Sequence, residues 1–306
     1  MNLGAELFGV GSGGEKYLYH YTSVEKLRGI LDSGTLRFSP YLNTNDPLES
    51  HFWVTWTRIP GGTDDEIAAR REEMKTLLGE NFDLRRAVKI ACFTQDDSEV
   101  NLSMLHRGWA RPRMWDQYAE KHAGGCLVLD RAAWEQEIES SLASRGMRVT
   151  GQAVAYRNAR FGGELDNITL DYEDVKSRGG IGVAQAFVND HQELFFTKNL
   201  DWVSERERRY LVLSDSDYEA VPLASSLRAV VIGPFFPDHE DSVLRFRLDR
   251  SGFHHVRVAK LAWRSGAPFT GAGDNRELQL FQPENLRPRA DPQRIEDERG
   301  GRERLG

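Results

Sequence analysis

Apolar residues recur along this chain with two periods, and the switches between them predict its elements. The opening block Tyr19-His20-Tyr21-Thr22-Ser23 reads as a strand that closes on a polar cluster. Leu27, Ile30 and Leu31 then fall at helical spacing, so a helix is expected over 24–32. Ser23 is placed to cap it by accepting an exposed backbone N–H, and Gly34 supplies the left-handed exit. Leu36 and Phe38 begin a second strand, followed by a turn-rich stretch around Asn45-Asp46-Pro47. Helical patterning covers 64–89 with a break near Gly79, and again 114–122 and 131–143. Strands are expected at 90–94, 126–129, 149–156, 205–213, 227–233, 254–262 and 277–281, with a mainly helical stretch over 165–200. The mixture has no βαβ rhythm and no internal repeat. It predicts an α+β fold with a mainly antiparallel, split β-sheet core and flanking helices.

The glycine-serine run in 1–16 marks a flexible leader, and the charged, Pro/Gly-rich stretch 287–306 a disordered tail. Residues 17–286 then form a single α+β catalytic domain. A net charge of −7 argues against wholesale coating of nucleic acid. Cys92 and Cys126 lack metal or redox spacing and read as reduced core thiols. No apolar run reaches the ~20 residues of a membrane span, and no signal-peptide plan opens the chain, so a cytoplasmic protein without membrane contact is expected. Neither a G-x-G-x-x-G fingerprint nor a P-loop is present.

Two polar constellations stand out. A neutral His20 has one donor and one acceptor, which suits a ribose diol; Tyr21 and Thr22 add hydroxyls, although Thr22 also serves as a cap beside Ser23. Far along the chain, Glu205 and Glu207 fall on one face of a strand if side chains simply alternate. Paired carboxylates suit the positive charge that builds on a sugar when its glycosidic bond breaks. The same pair also reads as an ion-pair ladder with Arg206, Arg208 and Arg209. Trp115, Tyr118 and His122 share one helical face, as a packed stripe or a stacking platform. Lys198 and Arg209 are candidates for a pyrophosphate, and Asn45, Asp46 and Glu49 for either a turn or a pocket wall. His254-His255 lacks acid or thiol partners, so no metal site is expected.

The blocks LYHYTSVEKLRGIL, LRFSPYLNTNDPLE, ACFTQ, MWDQYAEKHAGGCLVLD, AYR, FFTKNLDWVSERERRYLV and VVIGP, in this order, resemble the bacterial family labelled DUF2971 over residues 17–285. More distantly, the His20 block and the E-x-E resemble ADP-ribosyltransferases of the His-Tyr-Glu type, including DNA-modifying toxins related to DarT. That second resemblance implies NAD+ as substrate and an ADP-ribosyltransferase-like fold. It implies transfer of ADP-ribose to a nucleic acid, nucleotide or protein acceptor, or to water, in a toxin or phage-defence setting with an antitoxin or other defence partner. Under that reading the residue chemistry makes Glu207 the catalytic choice, with Glu205 positioning the acceptor. His20, Tyr21, Thr22, Asn45, Asp46 and Arg209 go to NAD+. For the middle aromatic motif, Phe38-Ser39, Tyr41 and Trp115/Tyr118 compete. The rival readings are a metal-dependent nuclease built on Asp46, Glu205, Glu207 and Lys198, and a non-catalytic nucleotide-binding module.

Overall fold

The computed structural model describes residues 3–8, 15–50, 54–79, 82–97, 104–158, 167–264 and 267–272. The strand expected at 277–281 and the tail at 287–306 lie outside them. Most of the strands join one mixed, largely antiparallel sheet. These are β1 (Tyr17–Thr22), β2 (Thr35–Pro40), β4 (Val88–Gln95), β5 (Gly125–Asp130), β6 (Thr150–Ala153), β10 (Glu207–Leu213), β11 (Glu219–Pro222), β12 (Leu227–Ile232), β13 (Arg257–Arg264) and β14 (Ala267–Ala272). Their order is β11-β2-β4-β1-β5-β12-β13-β14, with β10 on β4 and β6 on β10. β12 and β13 run parallel. Two small parallel pairs stand apart, β3 (Val54–Arg58) with β8 (Asn167–Asp171) and β7 (Ala155–Arg157) with β9 (Thr197–Asn199).

Helices cover the faces: α1 (Leu3–Phe8), α2 (Val24–Ser33), α3 (Pro47–Ser50), α4 (Asp64–Leu78), α5 (Leu84–Ala87), α6 (Pro112–Tyr118), α7 (Arg131–Ala143), α8 (Tyr172–Asp190), α9 (Gln192–Phe195) and α10 (Asp238–Arg250). α2 forms for the reasons its sequence gives. Ser23 Oγ accepts the Lys26 N–H, Gly34 leaves at φ 64°, and Leu27 and Leu31 are buried. Each buried leucine contributes roughly 1.5–3 kcal/mol. In α4 a capping box, Thr63 with Glu66, does the same work at the N-terminus.

Pleating gives β1 two characters. Leu18 joins the core beneath α2, α7 and α10, whereas Tyr17, Tyr19 and Tyr21 pack on Trp109 and Trp115. That second layer also takes in α1, which corrects the leader expectation for residues 3–8. Leu7 is fully buried, Trp109 Nε1 donates to Leu7 O at 3.2 Å, and Tyr17 Oη donates to Glu6 at 2.9 Å. α10 was not anticipated, because its buried stripe is only Leu244 and Leu248 among charged residues.

The sheet splits at β4. On one edge β4 pairs with β10 along its whole length, from Thr94↔Glu207 to Val88↔Leu213. On the other edge β1 pairs only at Leu18↔Gln95 and Tyr19↔Thr94, and β2 only at Ser39↔Ile90 and Pro40↔Lys89. Residues 91–93 lie in the gap between them.

Candidate active site

A cleft of about 530 Å³ occupies this gap. Its walls are Tyr19 to Ser23 and Lys26 on one side, and Arg37, Ser39, Pro40 and Asn43 to Asn45 on the other. Ile90 to Thr94 form its floor, and Met114, Gln117, Tyr118, Glu120, Lys198, Glu205, Glu207 and Arg209 complete it.

His20 enters from the edge where β1 leaves β4. Continuing the Leu18↔Gln95 and Tyr19↔Thr94 register by one residue would set it opposite Phe93, on the other face of the sheet from Thr94 and Glu207. Beyond Tyr19 the strands diverge, and the ring turns into the gap with Nδ1 3.1 Å from Cys92 O. A carbonyl only accepts, so Nδ1 carries the proton and Nε2 keeps its lone pair. Burial pushes the imidazole pKa below its ordinary value, and nearby Lys26 adds to that, against the Cys92 bond. The ring is therefore a neutral acceptor at its free nitrogen.

The two glutamates reach the cleft by different routes. Glu205 ends a 3₁₀ turn, Leu200–Glu205, and Arg206 follows in the left-handed region at φ 47°, ψ 48°. The strand begins at Glu207. Period-two alternation is thus not what pairs them. Lys198 of β9 does so, with Nζ 2.8 Å from Glu205 and 2.9 Å from Glu207. Tyr118 Oη donates to Glu205 at 2.7 Å, and the Glu207 N–H donates to Tyr156 Oη at 2.8 Å.

Arg209, two residues on and on the same strand face, grips Glu207 in a two-point fork at 2.7 and 3.1 Å. Its Nη1 donates to Phe195 O at 2.8 Å, and its Nη2 lies 2.7 Å from Glu49. The exposed ion-pair ladder is replaced by a buried cluster; Arg206 pairs with Asp97 and Arg208 with Glu135 instead. Burial alone would raise the Glu207 pKa, but Arg209 and Lys198 outweigh it and hold the carboxyl well below the usual range. Glu49 moves the other way, raised by burial.

The cleft brings together His20, Tyr21, Thr22, Ser39, Asn45, Tyr118, Glu205, Glu207 and Arg209. It does not include three other expected residues. Phe38 is core, its ring 6.2 Å from that of Trp134. Trp115 is fully buried and bonds Trp109 O at 2.7 Å. Asp46 accepts the Leu48 N–H at 2.9 Å, which is the turn reading. Tyr41 is also buried, edge-on to Phe195 at 5.1 Å, so of the competing aromatic residues Tyr118 lines the cleft. The expected helix over 114–122 stops at Tyr118, and Glu120, Lys121 and His122 continue at positive φ. His122 consequently stacks on Trp115 from a turn rather than along a helical face.

Two roles change with these contacts. Tyr21 Oη is engaged by Gly108 O at 2.5 Å, and Ser23 rather than Thr22 caps α2. Lys198 is turned to Glu205 and Glu207, and Arg209 to Glu207, Glu49 and the Phe195 carbonyl, so both expected pyrophosphate cations are engaged by carboxylates of the protein itself. The exposed cations of the cleft are Lys26 and Arg37, which sequence reasoning passed over as ordinary surface residues. Among the described residues neither makes an ion pair; Arg37 lies over the Tyr218 ring at 4.2 Å. Thr94 also went unnoticed, with a buried Oγ1 that has no hydrogen-bond partner among the described residues.

Residues 114–210 match the family model described as Protein of unknown function (DUF2971). The match supports the DUF2971 resemblance over the segment that carries Tyr118, Lys198, Glu205, Glu207 and Arg209, and it stops short of His20. Comparison with curated proteins and with solved structures finds no match. Among the described residues no helix is long and apolar enough to cross a membrane, and no group of three His, Cys, Asp or Glu side chains is placed to hold a metal ion. Lys198 and Arg209 fill the space between Glu49, Glu205 and Glu207. That arrangement does not favour the nuclease reading on Asp46, Glu205, Glu207 and Lys198, since Glu205 and Glu207 are turned to Lys198 and Asp46 to the Leu48 N–H.

Proposed function

We propose that this protein is an NAD+-dependent ADP-ribosyltransferase-like enzyme, acting on a nucleic acid, nucleotide or protein acceptor, or on water. The observation that carries the reading is the convergence of neutral His20 and the Glu205/Glu207 pair on one cleft, from segments far apart in sequence. The cleft volume of about 530 Å³ falls among small-molecule sites, which span roughly 300–1,000 Å³. In this reading His20 Nε2 accepts a hydrogen bond from a ribose hydroxyl. The bond from ribose C1′ to the nicotinamide nitrogen breaks, and its electron pair leaves with nicotinamide. The ionised Glu207, in its buried cluster, stabilises the positive charge that develops on the ribose. An acceptor oxygen then bonds C1′, and its proton passes to Glu205 at the cleft wall beside Tyr118.

One observation favours a second reading. Glu207 is held at both oxygens by Arg209 and Lys198, as a purely structural carboxylate would be. A non-catalytic module would bind the dinucleotide and release no nicotinamide.

Thermal unfolding with and without NAD+ tests the site common to both. Ligand at a hundred times its Kd stabilises the folded state by about 2.7 kcal/mol. The melting temperature is expected to rise with NAD+, and His20→Ala is expected to abolish the rise while leaving a cooperative transition. No rise at millimolar NAD+ removes the proposal.

A further inference from the structure

Lys198 is a buried ammonium, 6% exposed, set between two carboxylates. An ammonium carries three N–H donors and no acceptor. Among the described residues Glu205 and Glu207 are its oxygen partners. A further contact is of another kind: the ring centre of Trp202 lies 5.0 Å from Nζ. The face of an aromatic ring is negative, and it attracts a cation most strongly where water is excluded.

The local backbone explains the meeting. β9 hands over directly to the 3₁₀ turn Leu200–Glu205. Side chains at i and i+3 eclipse in a turn of this kind, so Trp202 and Glu205 fall on one side, and both reach Lys198. The turn is pinned from α6. Arg113 Nη1 donates to Asp201 O at 2.8 Å and to Ser204 Oγ at 3.3 Å, and the same guanidinium lies over the Trp202 ring, 5.1 Å from its centre. Trp202 is half-buried and does not line the cleft, so it touches the site only through Lys198.

We propose that Trp202 is a positioning residue: its ring, anchored by Arg113, holds the Lys198 ammonium between Glu205 and Glu207. A lysine stem is long and flexible, and nothing in its own covalent structure keeps Nζ shared between two acceptors. Without the ring face, Nζ is free to follow one carboxylate and leave the other.

The consequence falls on Glu207. It faces Lys198 of β9, Arg209 of its own strand, Cys92 of β4 and Tyr156 of β7, with Glu49 of α3 beyond Arg209. Burial raises its carboxyl, and Arg209 and Lys198 outweigh burial and hold it low. With Lys198 displaced, Arg209 opposes burial alone, and the carboxyl rises toward its usual range. The charge on Glu207 is then lost at a higher pH than in the parent.

Three variants test this: Trp202→Phe keeps a ring, Trp202→Leu keeps only the apolar cover, and a ring-fluorinated tryptophan at the same position keeps the shape but weakens the negative face. The first readout is reductive methylation of Lys198, followed by peptide mass spectrometry, and it needs no activity. Lys198 should be protected in the parent and in Trp202→Phe, and about tenfold more reactive in the leucine and fluorinated proteins, the scale of a desolvated cation–π contact. The second readout rests on the reading given above: the pH profile of nicotinamide release, alongside NAD+ affinity. In the leucine and fluorinated proteins its acid limb should move up by about one pH unit, with affinity unchanged. Equal protection of Lys198 in all four proteins overturns the inference. So does a rate lost equally at every pH, or together with affinity, as a merely structural tryptophan would give. If the leucine variant does not fold, the fluorinated protein decides. A parent that releases no nicotinamide removes the functional reading, and the methylation result still decides whether Trp202 holds Lys198.

Discussion

At His20 a single backbone carbonyl decides the chemistry of both ring nitrogens. Cys92 O holds the proton on Nδ1, and burial keeps the ring neutral. A basic group whose pKa is lowered on folding binds its proton more readily in the unfolded chain. The stability linked to His20 is therefore present above the ordinary imidazole pKa of about 6.5 and is lost as pH falls through it. Urea unfolding between pH 7.5 and 5.5 should show this loss in the parent and a smaller one in His20→Asn, which keeps a donor for Cys92 O but does not titrate. Identical pH profiles would mean that the ring is not held as described. His20 and the two glutamates were legible as chemistry because each sits in a compact polar run. The true occupation of Arg209 was not, because Glu49 and Phe195, which share its guanidinium with Glu207, lie outside that run.

Among the elements, alternation along strands was legible wherever the backbone stayed regular. β1, β4, β5, β10 and β12 all fall on stretches that the apolar pattern marks out. The exception is at the site, where Arg206 takes up φ 47° and sends Glu205 to Lys198 from outside the strand. Nothing in the residue type announces that turn, since glycine is the usual occupant of such a conformation. Arg206→Gly should stay within about 1 kcal/mol of the parent, because the half-exposed pair with Asp97 is a weak one. Arg206→Val should lose at least about 1–2 kcal/mol more, the cost of a left-handed backbone for a residue with a Cβ, worsened by branching at that carbon. Denaturation midpoints at an unchanged m-value measure both. A valine variant as stable as the glycine variant would show that the turn is not under strain. α1 and α10 escaped notice for a plainer reason: one is six residues long, and the other buries two leucines on an otherwise charged helix.

At the scale of the whole molecule, the α+β class and the largely antiparallel sheet followed from the mixture of periods, but the position of the split did not. It depends on β1 and β2 sharing one edge of β4, a long-range pairing that local sequence does not encode. That arrangement creates the cleft and brings His20 to the carboxylate cluster. The central claim is that this cluster stabilises charge on a ribose during bond breaking. A carboxylate that acts in the transition state should matter far more to rate than to binding. The direct measurement is nicotinamide released from NAD+ per enzyme, alongside NAD+ affinity, for the parent and for Glu207→Gln. The parent should release nicotinamide, and Glu207→Gln should bind NAD+ nearly as well while losing on the order of a hundredfold in rate. Full activity in Glu207→Gln, or NAD+ binding by the parent with no nicotinamide released, would contradict the account.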